Sequence, residues 1–263
     1  MSVREPSKID FITMMNKITE EFHPTIRRGN TGVGATLEYR LGILENNRKE
    51  HDFIDTGKFA GIKFELKGKR KGTSSRVSLK TKSPHGGMTN QELLEKYGYK
   101  DLFGKPHKNL NTILHPNFGR GPKNKDWRTE RKRDKLYLIR REDGPVAWYD
   151  LRKVGLEKLQ NLIVVEADRI YKNCSCGKDK LHKDGKHEFF RYRKAILFFD
   201  MNWKKMYDLI DDNKLIFEFR LHKPLDKPTE DDDDPKHDRG NVFRSSLKNI
   251  EFMYRSKQEI IFS

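Results

Sequence analysis

Glu65 and Lys67 sit two residues apart in the run Lys63-Phe64-Glu65-Leu66-Lys67, and Asp55 precedes them in a D-x9-E-x-K pattern. The run alternates apolar and charged residues as a half-buried strand does, and side chains two apart on a strand share a face. Glu65 and Lys67 therefore point one way, while Phe64 and Leu66 point into a core. Two carboxylates and an ammonium brought to one spot suit the cleavage of a phosphodiester. The carboxylates hold a divalent ion, Mg2+ with Mn2+ as a replacement; the lysine orients or deprotonates the attacking water. By itself the pattern is short, and E-x-K on a strand is usually a pair of solvated charges.

The flanking residues make it more specific. Gly29-Asn30-Thr31-Gly32-Val33-Gly34 and Thr36-Leu37-Glu38 come before it, and Leu79-Lys80-Thr81-Lys82-Ser83-Pro84 follows. Near the other end stands His237-Asp238-Arg239-Gly240-Asn241-Val242-Phe243-Arg244. In order and approximate separation these blocks resemble the active-site block and the H-D-H-G-x-x-F-R segment of the MvaI/BcnI restriction endonucleases. Those enzymes are relatives of the repair nickase MutH within the PD-(D/E)xK nucleases.

The resemblance implies an α+β fold, a mixed sheet of the restriction-endonuclease type flanked by helices, in two lobes around a DNA-binding cleft. It implies that Glu38 orders the catalytic lysine and the metal site, and that His237 contacts the scissile phosphate or places the attacking water. Arg220 and Arg244 match family arginines that read bases, a task for which the planar guanidinium fork suits guanine O6 and N7. Arg239 stands where the family has its second histidine and is grouped here with the DNA-contacting residues. The sequence departs from the family at the metal-binding aspartate, where the MutH spacing lands on Lys58. Asp52-Phe53 copies the family's D-F pair, whereas Asp55 has the hairpin-like spacing of lambda-type exonucleases. Asp55 with Glu65 is the chosen ligand pair, and Asp52 is held in reserve.

Elements must place these groups. Ser7 as N-cap with Ile9, Ile12, Met15, Ile18 and Phe22 predicts a helix over 7–22, and Leu37, Leu41 and Leu44 predict another over 35–46. The glycines at 29, 32 and 34 read as a loop before that helix, either a phosphate approach or a flexible connection. Strands are expected at 77–82, 135–141, 146–151, 162–171, 188–199 and 214–222, with a helix over 201–212. The Gly-, Pro-, Asn- and Lys-rich stretch 84–133 reads as mostly irregular. The whole chain is read as one endonuclease unit, with a catalytic lobe at 1–95, an irregular connection at 96–134 and a mainly β recognition lobe at 135–263.

The net charge of +16 attracts polyanions at long range, so double-stranded DNA is the expected partner. An anionic membrane is disfavoured, because no basic amphipathic helix and no long apolar run appears. Lys67, Lys69, Arg70, Lys71, Arg76, Lys80 and Lys82 form a basic run beside the E-x-K strand. It is either a solvated face or a backbone contact, with Lys80 and Lys82 placed on DNA. Two cysteines close together and no secretory pattern point to a reducing, cytoplasmic setting in a prokaryote. Cys174, Cys176, His182 and His187 are enough for a structural zinc, but C-x-C with H-x4-H is no standard finger spacing, and a polar hairpin tip is the favoured reading.

The expected function is a type II restriction endonuclease that cuts double-stranded DNA at a short site with Mg2+, leaving 5'-phosphate and 3'-hydroxyl ends. A monomer with one active site would cut one strand at a time, and a cognate DNA methyltransferase is implied as its genetic partner. A MutH-like nickase and a non-catalytic basic DNA-binding protein are the alternatives.

Overall fold

The computed structural model describes residues 6–27, 29, 31–43, 51–73, 76–100, 107–153, 156–173, 182–183, 186–224 and 241–262. The chain divides into two compact units that interleave in sequence: unit 1 is Met1–Ser75, Glu157–Asn202 and Tyr254–Ser263, and unit 2 is Arg76–Leu156 and Trp203–Met253. The consecutive lobes expected from sequence are therefore replaced by a division in which the chain leaves unit 1 and returns to it twice.

Unit 1 contains β1 (Ser7–Ile9), α1 (Phe11–Ile18), β2 (His23–Pro24), α2 (Gly32–Arg40), β3 (Phe53–Asp55), β4 (Lys63–Arg70), a 3-10 turn (Leu156–Gln160), β12 (Leu162–Asn173), β13 (His182–Lys183), β14 (Lys186–Met201) and β17 (Tyr254–Ile261). Its strands form one mixed sheet in the order β1-β3-β4-β12-β14-β13, with β17 and β2 also on β14. β4 lies between antiparallel β3 and parallel β12. Phe64 and Leu66 of β4 join Phe11, Met15, Val33, Leu37, Phe53, Ile163, Val165 and Leu197 in one core, the face on which α1 and α2 pack. Burial of these side chains is what positions the E-x-K strand.

Two helix starts differ from the sequence expectation. Ser7 belongs to β1, paired in parallel with β3, and the true N-cap is Asp10, whose carboxylate accepts from the Thr13 amide at 3.1 Å. α2 begins at Gly32 and not at 35, so Gly32 and Gly34 are helical. The missing side chains of Gly32 and of Gly68 on β4 serve packing: a Cβ on Gly32 would lie 2.3 Å from the Arg27 carbonyl oxygen, and one on Gly68 would lie 2.9 Å from the Gly34 Cα.

Unit 2 contains β5 (Val77–Lys82), β6 (Gly86–Gly87), α3 (Asn90–Tyr97), β7 (Tyr99–Lys100), β8 (His107–Leu114), β9 (Trp127–Lys132), β10 (Lys135–Arg140), β11 (Gly144–Asp150), α4 (Trp203–Asp211), β15 (Leu215–Pro224), β16 (Asn241–Ser245) and α5 (Leu247–Glu251). Two antiparallel sheets, β5-β16-β15-β8-β7 and β6-β11-β10-β9, pack around Trp127, Tyr149, Phe217, Phe219 and Phe243. The stretch 84–133 is thus not an irregular connection. Thr89 and Glu92 close a capping box that starts α3, and β8 pairs with β15 from Leu114 to His107. Among the described residues no helix is long and apolar enough to cross a membrane.

Candidate active site

Register on either side of β4 decides which acid meets Glu65. Phe53 pairs with Phe64, and the two rings stack at 5.7 Å on the core face. Alternation places Asp55 on that same face, where its buried carboxylate accepts from the Phe11, Gly57 and Phe59 amides at 2.9, 3.1 and 2.7 Å. Asp55 holds the start of α1 and the turn after β3, and it faces away from Glu65. Asp52, one residue before Phe53, falls on the other face with Glu65 and Lys67, and it accepts from the Leu66 amide at 2.7 Å. Burial, and after it the nearby Glu65 charge, raises the Asp52 pKa above the ordinary aspartate value. The expected acid pair is thus corrected in position: Asp52 meets Glu65, and Asp55 does not.

Glu65 is 6% exposed. Its Oε1 accepts from Lys67 Nζ at 2.6 Å, while its Oε2 is buried with no hydrogen-bond partner among the described residues. An orphaned carboxylate oxygen is costly unless something binds it. Burial pulls the Lys67 ammonium down, but the charges of Glu65 and Asp52, the hydrogen bond to Glu65 and the charge of Glu38 outweigh it. The net shift is upward, so Lys67 is an ammonium at neutral pH. Glu38 lies on α2 one turn after Gly34, and the close approach of Gly34 to Gly68 brings that turn down beside Lys67.

Two further groups from distant sequence border the acids. Tyr254, at the start of β17, donates to the Leu159 carbonyl at 2.7 Å; burial, with the Glu65 charge added, holds its phenol well above the ordinary tyrosine range. Lys158, in the turn before β12, is buried, and its charge acts on Asp52. Nothing near Lys158 in sequence marks it; a lysine inside the apolar L-E-K-L-Q-N-L-I-V-V run is the one available signal. Among the described residues no group of three or more His, Cys, Asp or Glu is arranged to hold a metal. The acid pair nonetheless fits a divalent ion, because Mg2+ commonly takes one or two carboxylates and fills its other positions with water and substrate phosphate. The unpartnered Glu65 Oε2 and the raised Asp52 are the features that such an ion would relieve.

Arg220 and Arg244 lie in unit 2 on one face of the five-stranded sheet, together with Glu218 and His222. The register gives them Asn109 and Asn111 of β8 as neighbours, and His222 bonds Asn109 at 2.7 Å. Glu218 pairs with Arg244 at 2.7 Å, and Arg244 also donates to the Arg76 carbonyl. Lys80 and Lys82 lie half-buried on β5, which pairs with β16. Part of the basic run is committed to partners within the protein: Arg70 pairs with Glu188 at 3.0 Å and bonds the Gly29 carbonyl, while Lys71 stays exposed 3.6 Å from Asp168. His187 gives its Nε2 to the Thr25 carbonyl at 2.9 Å, which makes it a packing histidine and not a zinc ligand at that nitrogen. His237, Arg239, Cys174, Cys176 and the side chain of His182 lie outside the described residues.

Residues 12–254 match the model of the MvaI/BcnI restriction endonuclease family. Among curated proteins none matches. Among solved structures, the complex of restriction endonuclease MvaI with its cognate DNA substrate superposes with a TM-score of 0.73 at 21% identity, covering 95% of this chain and 97% of that one. MvaI in the absence of DNA matches with a TM-score of 0.47 at 18% identity, covering 99% and 100%. The former likeness confirms the mixed α+β fold, and the family match spans both the E-x-K strand and the second arginine block. The chain belongs to the MvaI/BcnI restriction endonuclease family and is a site-specific nuclease of the kind that works in restriction-modification.

Proposed function

We propose that the protein hydrolyses double-stranded DNA at a short specific sequence with Mg2+ held by Asp52 and Glu65. The observation that carries this reading is the buried, unpartnered Glu65 Oε2 beside Asp52 and Lys67. A divalent ion there supplies charge stabilisation of the phosphate and lowers the pKa of bound water. Glu65 Oε1 fixes the Lys67 ammonium, which donates to the attacking water or to a phosphate oxygen. Glu38 supports Lys67 from α2, and Asp55 holds the scaffold beneath. Water attacks phosphorus and gives up a proton to solvent as the bond to the 3'-oxygen breaks, and that oxygen takes a proton from solvent, leaving 5'-phosphate and 3'-hydroxyl ends.

Arg220 and Arg244 read bases from the polar sheet face, with Glu218 orienting Arg244, and Lys80 and Lys82 contact the backbone. His237 and Arg239 keep the roles inferred from the family segment. One active site per chain cuts one strand per event, so a monomer nicks, reorients and nicks again, and a cognate methyltransferase protects the host site. The test is supercoiled plasmid incubated with Mg2+ or EDTA, beside Lys67→Ala, followed by end sequencing. Discrete Mg2+-dependent linear fragments, absent in the variant, are expected. Nicked circles alone would indicate a strand-nicking enzyme, and intact plasmid despite tight binding would leave a DNA-binding protein.

A further inference from the structure

We propose that Lys158 is a second ammonium of the catalytic centre, a positioning residue that sets the charge offered to both the metal ion and the scissile phosphate. The inference rests on the metal-dependent reading above. Lysine is among the residues least often buried, because removing an ammonium from water is costly unless opposite charge answers it. Lys158 is only 5% exposed.

The backbone that carries it is held by bonds between its neighbours and the strands around Glu65. Tyr254 donates to the Leu159 carbonyl at 2.7 Å, the Glu65 amide donates to the Asn161 carbonyl at 3.0 Å, and Asn161 Nδ2 donates to the Lys63 carbonyl at 3.3 Å. The last two tie the segment around Lys158 to the backbone of β4 on either side of Phe64. β12 then continues from this segment alongside β4, with Leu162 opposite Glu65. Lys158 is held where its charge falls on Asp52.

The charge balance gives the lysine a task. Among the described residues, Glu38, Asp52 and Glu65 set three carboxylates against the two ammonium groups of Lys67 and Lys158, so this group is net negative and attracts a dication. With the ion bound the site becomes net positive, which suits a phosphodiester. Without Lys158 the loaded site would be neutral. An ammonium here repels the incoming cation and attracts the phosphate, whose negative charge grows toward the transition state. Removing it should therefore move two measurements in opposite directions, whereas loss of a merely structural residue should weaken both.

The experiment compares wild type, Lys158→Met and Lys158→Arg, first for thermal unfolding, then for Ca2+ binding by titration calorimetry and for plasmid cleavage at saturating Mg2+. Lys158→Met is expected to bind Ca2+ roughly tenfold more tightly, from the removed repulsion, and to cleave roughly 10²-fold more slowly. Lys158→Arg, which keeps the charge, should return both values toward wild type. If the Met variant does not fold, Lys158→Gln takes its place. Cleavage unchanged in the neutral variant, or cleavage and Ca2+ affinity falling together, overturns the proposal. Wild-type protein that cuts equally well in EDTA overturns the metal-dependent reading itself and this inference with it.

Discussion

Gly34 of α2 and Gly68 of β4 meet backbone to backbone: a Cβ on Gly68 would lie 2.9 Å from the Gly34 Cα and 3.0 Å from its nitrogen. Neither backbone can yield without moving a helix or a strand. Glu38 rides one turn beyond Gly34, and Lys67 is the residue before Gly68. The contact therefore sets how near the Glu38 carboxylate comes to Lys67.

Gly68→Ala is accordingly expected to lower stability by about 1 to 3 kcal/mol through overpacking. Its cleavage rate should fall further than that loss explains at a temperature where the variant is fully folded. Thermal melts combined with single-turnover cleavage separate the two effects, and a folded variant with wild-type turnover would show that the contact does not govern the site.

The two aspartates should fail differently. Asp55→Ala leaves three backbone amides without their acceptor, and a loss of about 3 kcal/mol or more is expected in urea unfolding. Asp52→Ala should remain folded and bind DNA while losing roughly 10²-fold or more in metal-dependent cleavage. Equal loss of stability in both would remove Asp52 from the metal site.

Glu65→Gln tests the ion pair by its pH dependence. The folded pKa of Lys67 lies above its ordinary value of 10.5, so the pair contributes stability that is fully present below that value. It is lost as pH rises through the folded pKa. The stability gap between wild type and variant should stay level from neutral pH upward and narrow only in strongly alkaline solution. A gap that closes near neutrality would contradict a charged Lys67.

On the sheet face that carries Arg220 and Arg244, Arg244→Ala and Glu218→Ala are both expected to reduce cleavage at the specific site. Each should leave binding to unrelated duplex, and its dependence on salt, nearly unchanged. Binding to cleavable and random duplexes at several salt concentrations checks this. A uniform loss across both duplexes would make Arg244 a backbone contact.

Strands with clear alternation were legible from sequence: 135–141, 162–171, 188–199 and 214–222 lie within two or three residues of β10, β12, β14 and β15. Glu65 and Lys67 share a face because alternation alone demands it. The partner acid was not legible, since it depends on Phe53 pairing with Phe64 across a turn, and a shift of one residue exchanges the faces of Asp52 and Asp55. Lys158 and Tyr254 reach the site only through strand neighbours distant in sequence. Gly32 and Gly34 read as a loop because glycine disfavours helix interiors, but close packing, of Gly32 on Arg27 and Thr25 and of Gly34 on Gly68 of β4, outweighs that local preference. The Pro- and Gly-rich composition of 84–133 hid β8, whose Asn-Leu-Asn-Thr-Ile-Leu run does alternate.

The interleaving of the two units bears on how the enzyme comes into being. Tyr254 and β17 follow the whole of unit 2 in sequence, yet β17 pairs with β14 and Tyr254 bonds the turn that carries Lys158. A ribosome making this chain releases Glu65 and Lys67 long before the strand that completes their surroundings. The nascent polypeptide therefore holds Glu65 and Lys67 in an unfinished sheet until β17 has emerged, and that sheet is completed only after the whole of unit 2 has been made.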